Sequence, residues 1–390
     1  MALDWDGLLS DADRRLQSSA IRDLLAVTAQ PEVISFAGGL PAPEYFPVEA
    51  LRASFDAVLR DDGRAALQYG PTEGYLPLRA FLAERLAARG IVATPEQILI
   101  TSGSQQALDL IGKALLSRGD SVLVESPSYV GALQAFTTRE VRYLTVEMDD
   151  EGLRVDQAAQ RLAGLPPAAS NGHGAHAATQ APLARPRLAY TVATFQNPSG
   201  VTMSRARREA LLALCATYAL PLIEDDPYGE LRFEGEEVPP LRALPGGEDT
   251  IYLGTFSKIL APGLRVGWVV APRPLLRRLV LAKQAADLQC DSLTQRAILH
   301  YCRHNDIQAT IAPLRRLYHA RRDAMLQALA RYFPAEARWT RPEGGLFIWV
   351  TLPDGLDGRA MLKDAVERRV AFVPGSAGHM DGKGTSCLRL

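Results

Sequence analysis

Through the middle of the chain, short apolar runs alternate with stretches whose apolar positions recur every three or four residues. The runs are EQILITSG (96–103), DSVLVESP (120–127), PRLAYTVATFQNP (186–198), LPLIEDDPY (220–228) and TIYLGTFSK (250–258). Each is rich in Ile, Val, Leu, Tyr or Thr and closes on turn-forming residues, the pattern of a buried strand. Between them, QQALDLIGKALLSRG and SRARREALLALCATYAL carry the helical period. Strand–helix–strand order predicts an α/β fold with a mostly parallel central sheet flanked by helices. Ligands of such sheets bind beyond the carboxyl ends of the strands, so the endings SGSQQ, ESPSY, QNPSG, EDDPY and TFSK are where chemistry is expected.

After about residue 275 the pattern changes to long Arg-rich helices. GGLFIWVTLP and VAFVPG follow and read as strands of a smaller α+β unit. Residues 165–187, LPPAASNGHGAHAATQAPLARPR, are rich in Ala, Gly and Pro without periodicity and predict an exposed insertion. His173 and His176 within it read as solvated loop histidines rather than metal ligands.

Composition narrows the partners. The 390 residues are 47% hydrophobic, enough for a large core, and the net charge of -1 supplies no basic field for nucleic acid or anionic membrane. The start, MALDWDGLLSDADRR, lacks the apolar stretch of an export signal, and no apolar run is long enough to span a bilayer. Four cysteines without CxxC spacing argue against zinc, a redox couple or a disulfide framework, and predict a cytoplasmic protein.

Only five of the 43 basic residues are lysines, at 113, 258, 283, 363 and 383. Lys258 follows an apolar strand and precedes an apolar turn, and it reads as the one lysine placed to be partly desolvated. Desolvation favours the neutral, nucleophilic amine. Asp225 ends the apolar run LPLIEDD, where a lone acid is expensive unless it meets a cation, and a pyridinium nitrogen would be one. Tyr228 and Asn197 lie close enough in the pattern to reach the phenolic oxygen of such a ring. SGSQQALDL opens a helix directly after a strand, so amides near Ser104 and Gln105 face the space beyond the sheet, a phosphate-binding arrangement. Thr255, Ser257 and Arg265 flank Lys258 and could join them. Tyr129 offers an aromatic face. Dinucleotide, P-loop and serine-hydrolase fingerprints are absent.

The ordered set FAGGLP, QYGPTEG, SGSQQAL, SPSYVGAL, QNPSG, EDDPYGEL, GTFSKILAPGLRVGW and CLRL resembles the fold type I pyridoxal phosphate aminotransferases of class I/II. It is particularly similar to the 2-aminoadipate and kynurenine branch, from about residue 15 to the end. The resemblance implies pyridoxal 5′-phosphate held covalently by Lys258, which also shuttles the substrate α-proton. It implies that Asp225 pairs with the pyridine nitrogen, that Tyr228 and Asn197 bind the 3′ oxygen, and that Tyr129 stacks on the ring. Ser104, Gln105, Thr255, Ser257 and Arg265 would hold the phosphate, and Tyr69 would reach the cofactor of the neighbouring subunit in a homodimer. Arg389 would bind the substrate α-carboxylate, beside Asn197 and Gly39 of FAGGLP. Arg22, with Ser19 nearby, would bind the side-chain carboxylate of 2-aminoadipate or glutamate.

By the same resemblance, residues 1–45 contribute to a small domain, 46–275 form the large cofactor-binding domain, and 276–390 form the small C-terminal domain. Family members continue past the carboxylate-binding arginine, whereas this sequence stops at Leu390, so the small domain is expected to end early. The activity implied is transamination between an L-amino acid and 2-oxoglutarate by a ping-pong cycle. One rival is a lyase or decarboxylase using the same cofactor. The other is a ligand-sensing regulator, disfavoured because about 30 residues precede SFAGGLP, too few for a winged-helix module.

Overall fold

Why the apolar runs are continuous rather than alternating is answered by the sheet they form. The computed structural model describes residues 3–10, 13, 32–166 and 183–390. In chain order the strands are β1 (Ile34–Ser35), β2 (Ile98–Thr101), β3 (Ser121–Ser126), β4 (Arg142–Asp149), β5 (Gly152–Leu153), β6 (Leu188–Thr191), β7 (Leu222–Asp225), β8 (Ile251–Thr255) and β9 (Gly267–Val270). Those after β1 make an eight-stranded sheet in the order β2-β9-β8-β7-β6-β3-β4-β5. All of it is parallel except β9 and β5, which pair antiparallel with their neighbours. Every residue of β2, β3, β6, β7 and β8 is buried, as expected of strands covered on both faces.

Two helical layers do the covering. Apolar residues of helix Gly103–Leu115 and of helix Val130–Thr137 join Val122, Val124, Tyr190 and Ile223 in one core. On the other face, helices Val155–Ala163 and Arg205–Thr217 pack on Leu123, Ala189 and Leu222. The chain moves from β3 outward to β4, then returns to β6 and proceeds the other way through β7 and β8, so the order reverses between β3 and β6. A crevice at such a reversal is the usual ligand site of this architecture.

The Arg-rich stretch forms helices Arg273–Ala286, Ser292–His304 and Ile307–Tyr332, and residues as far as Tyr318 belong to the first core. Beyond it, β10 (Arg338–Trp339), β11 (Trp349–Thr351), β12 (Val370–Ala371), β13 (Val373–Pro374) and β14 (Cys387–Arg389) follow. Four of these form an antiparallel sheet in the order β10-β11-β14-β13, with its own core of Leu329, Ile348, Val350, Leu352, Phe372 and Leu388. β12 instead pairs in parallel with β1 near the other end of the chain. Most of the insertion at 165–187, including His173 and His176, lies outside the described residues, as do Ser19 and Arg22. Among the described residues no helix is long and apolar enough to cross a membrane.

Candidate active site

A cavity of about 250 Å³ opens at the carboxyl ends of β7 and β8 and gathers residues from segments far apart in sequence. Gly39, Ser104, Gln105, Tyr129, Asn197, Asp225, Tyr228, Thr255, Ser257, Lys258, Arg265 and Arg389, all expected from the sequence, line it. Tyr69 does not; it is 78% exposed and borders a separate depression with Gln289 and Arg296.

Lys258 is presented by the turn after β8. Thr255 Oγ1 accepts the backbone N–H of Ser257 at 3.1 Å and donates to Ser257 Oγ at 2.9 Å, which pins that turn. The Lys258 amine donates to the Gly39 carbonyl at 3.0 Å, and none of the described carboxylates forms an ion pair with it. Burial, helped by the positive charges of Arg389 and Arg265, lowers it to about 8. The expectation that Lys258 alone is desolvated needs correction. Lys283 is fully buried, but its ammonium meets the Asp287 carboxylate at 2.8 Å and Gln106 Oε1 at 3.0 Å. Its helix pattern hid this, because the acid that compensates it lies one turn on. What distinguishes Lys258 is burial without an acid among the described residues.

Asp225 closes β7 at 2% exposure. Its Oδ2 accepts the Tyr190 hydroxyl at 3.0 Å, and its Oδ1, also buried, has no partner among the described residues. Burial raises this carboxyl to about 7, against the Tyr190 hydrogen bond, which favours the charged form. The next residue, Asp226, is compensated: it accepts the Tyr252 hydroxyl at 2.9 Å and pairs with Arg89 at 2.9 Å. It is therefore a buried ion-pair partner.

The anion-facing side is built from the start of helix Gly103–Leu115. Gly103 has φ +72°, and a Cβ there would come within 2.5 Å of Arg265 Nη2, so only glycine lets the guanidinium lie against the turn. Arg265 Nη2 donates to the Ser102 carbonyl at 2.9 Å. Ser104 Oγ is buried without a partner among the described residues, beside the helix's first amides. A hydroxyl, free amides and a guanidinium together suit a phosphate-like group.

Arg389 enters from β14, is 3% exposed, and forms no ion pair with a described carboxylate. Its guanidinium lies 4.3 Å from the Phe347 ring centroid, donates to Asn197 Oδ1 at 2.9 Å and to the Ala37 carbonyl at 2.6 Å, and keeps Nε unpartnered. Burial lowers it to about 10. A buried cation held by neutral acceptors is arranged to take a carboxylate. Gly39, at φ +55°, brings its backbone under Phe347, where a Cβ would come within 2.7 Å of the ring. Tyr129 and Tyr228 border the same space with acidities weakened by burial, Tyr129 to about 12.

The family model described as aminotransferase class I and II matches residues 36–390. The chain belongs to this family. Among relatives of this aminotransferase, an aromatic-amino-acid aminotransferase of Thermococcus litoralis is 43% identical, over 100% of this chain and 90% of the relative. A 2-aminoadipate transaminase of Thermus thermophilus is also 43% identical, over 100% of this chain and 92% of the relative. The solved structure of LysN, an α-aminoadipate aminotransferase of Thermus thermophilus complexed with N-(5′-phosphopyridoxyl)-L-leucine, superposes with a TM-score of 0.88 at 42% identity. That match covers 100% of this chain and 93% of that one.

Two residues of the aminotransferase site were missed by reading the sequence. Tyr190 reads as a core strand tyrosine, and nothing local marks its partner 35 residues away. Phe347 lies in the run GGLFIWVTLP, which reads as a strand, but the strand begins only at Trp349 and leaves Phe347 in the segment before it.

Proposed function

We propose that this aminotransferase uses pyridoxal 5′-phosphate and moves an amino group from an L-amino acid, 2-aminoadipate foremost, to 2-oxoglutarate, as a cytoplasmic homodimer. One observation carries the reading: among the described residues, a single cavity joins an amine without an acid, a buried carboxylate with an unpartnered oxygen, and a buried guanidinium without an acid. Those charges match the three parts of the chemistry, an aldehyde, a ring cation and a substrate carboxylate.

The residues fit the cofactor. Asp225 Oδ1 suits a protonated ring nitrogen, and Ser104 Oγ, Gln105, Thr255, Ser257 and Arg265 suit its phosphate. Tyr129 supplies a face for the ring, and Asn197 and Tyr228 supply partners for its 3′ oxygen. When bound, the cofactor supplies an electron sink for negative charge at the substrate α-carbon and carries the amino group between half-reactions. Asp225 keeps the ring nitrogen protonated. Lys258, tuned to about 8, is neutral in part at neutral pH, which suits both covalent attachment and proton transfer at the α-carbon. Arg389, braced by Asn197 and the Ala37 carbonyl, orients the α-carboxylate beside Gly39. Tyr69, exposed in one protomer, completes the partner subunit's phosphate site. Arg22 and Ser19 bind the distal carboxylate of the donor. The division into a large unit (46–275) and a smaller unit (276–390 with 1–45) belongs to the same reading.

The test is a panel of amino donors assayed against 2-oxoglutarate, with glutamate as the product measured. 2-Aminoadipate is expected among the best donors, and Arg22→Gln is expected to reduce turnover of 2-aminoadipate far more than that of leucine. Borohydride reduction of the loaded protein places the label on Lys258. Absence of glutamate with every donor, or product release without 2-oxoglutarate, overturns the reading in favour of a lyase or decarboxylase.

A further inference from the structure

The two oxygens of Asp225 are not equivalent, and one residue makes them so. Register pairs Tyr190 with Ile223, two residues before Asp225 on the adjacent parallel strand, so Tyr190, Ile223 and Asp225 share one face of the sheet. Tyr190 is fully buried, and its ring meets Phe136 edge-on at 5.9 Å, which fixes the direction of its hydroxyl. Burial and the neighbouring Asp225 raise the pKa of that phenol well above its ordinary value, so it keeps its proton and remains a donor. We infer that Tyr190 is a positioning residue for the cofactor: by occupying Oδ2 it presents Oδ1 alone to the ring nitrogen and favours the carboxylate over the carboxylic acid.

The need for such a residue follows from the surroundings. The other titratable groups facing Asp225 are Tyr129 beyond β3, Tyr228 in the following turn and Asp226 next in sequence. None of them donates a hydrogen bond to it, and Asp226 opposes its ionisation. Tyr190 is therefore the one described side chain that favours the carboxylate over the carboxylic acid. A neutral acid at this position would not hold a pyridinium by charge. The inference rests on the cofactor reading above, and the experiment separates the two.

Apo-protein is titrated with pyridoxal 5′-phosphate in wild type, Tyr190→Phe, Asp225→Asn and the double variant, with absorbance and thermal unfolding recorded across pH. Tyr190→Phe is expected to raise the dissociation constant by roughly ten- to hundredfold, the range for a hydrogen bond to a charged group. It should also move the pH below which affinity falls toward higher values. In the Asp225→Asn background the same substitution should have little further effect, because the group it acts through is gone. An equal loss in both backgrounds, or none in either, overturns the inference. If Tyr190→Phe does not yield folded apo-protein, 3-fluorotyrosine at position 190, a stronger donor of nearly the same shape, replaces it. It should move the affinity profile toward lower pH, and an unmoved profile overturns the inference. Wild-type protein that fails to bind the cofactor refutes the functional reading, whereas wild-type binding with an unaffected Tyr190→Phe refutes this inference alone.

Discussion

Glu125 at the end of β3 and Asp225 at the end of β7 are both buried, at 1% and 2% exposure, and burial raises both to about 7. They differ in what surrounds them. Glu125 accepts from the Thr191 hydroxyl, from the Gln196 amide at 3.1 Å and from the Val192 N–H at 3.3 Å. Asp225 accepts from Tyr190 and keeps an oxygen without a partner where the cavity begins. Lys283 and Lys258 repeat the contrast with cations, one closed by Asp287 and the other by a single backbone carbonyl. Burial and perturbed acidity thus occur in structural and functional groups alike; an unspent hydrogen-bonding position facing a cavity separates them.

Substitutions at both members of each pair would break the contrast if it is false. The largest effect is expected at Lys258→Ala, which should lower kcat by about 10⁴-fold through loss of acid–base catalysis alone. Lys283→Met should leave kcat near wild type while lowering Tm. Next, Asp225→Asn should lower kcat by about 10²- to 10³-fold, the usual effect of removing a preorganised electrostatic group, without lowering the stability of the apo-protein. Glu125→Gln should do the reverse, costing about 1–3 kcal/mol in urea unfolding as buried donors lose their acceptor. Steady-state kinetics and denaturation on the same four proteins decide the matter.

A smaller effect concerns pH. A carboxyl raised from 3.8 or 4.5 to about 7 binds its proton more tightly folded than unfolded. Its contribution to stability is therefore complete below the ordinary value and lost as pH rises toward 7. Both Asp225→Asn and Glu125→Gln should flatten the fall in apo-protein stability over this window, and cofactor binding should cancel the share of Asp225 but not that of Glu125. The smallest shift along the pH axis is expected at Arg389→Gln. Arg389 helps lower the Lys258 amine, so removing this cation should move the pH dependence of covalent capture of the cofactor aldehyde toward higher pH, as followed by absorbance.

Much of this arrangement was legible in the residues. The five apolar runs announced their strands because strands buried on both faces need no polar alternation, and their turn-forming ends marked the site. β9 was not marked, since GWVV is short and its antiparallel direction is set by pairing with Leu99 and Leu253, far away in sequence. β4 was missed because its ends are only partly buried. Lys258 and Asp225 could be picked out because charge beside apolar sequence is costly, whereas Arg389 was marked only by the family resemblance of CLRL. Tyr190 and Lys283 could not: the partner of Tyr190 lies on the neighbouring strand, and the Asp287 that closes Lys283 sits one turn along its own helix, where such a pair reads as an ordinary solvated one.

The segment from Ile34 to Gly39 carries a consequence for how the site responds to load. At one end it is stitched to Val370 and Ala371, while its Ala37 carbonyl grips Arg389 and its Gly39 carbonyl grips Lys258. A cation on β14 and a cation in the turn after β8 are thus tethered to one strap at carbonyls only two residues apart. Both side chains are held by carbonyls of the same short segment, so a displacement of that segment would disturb the two contacts together.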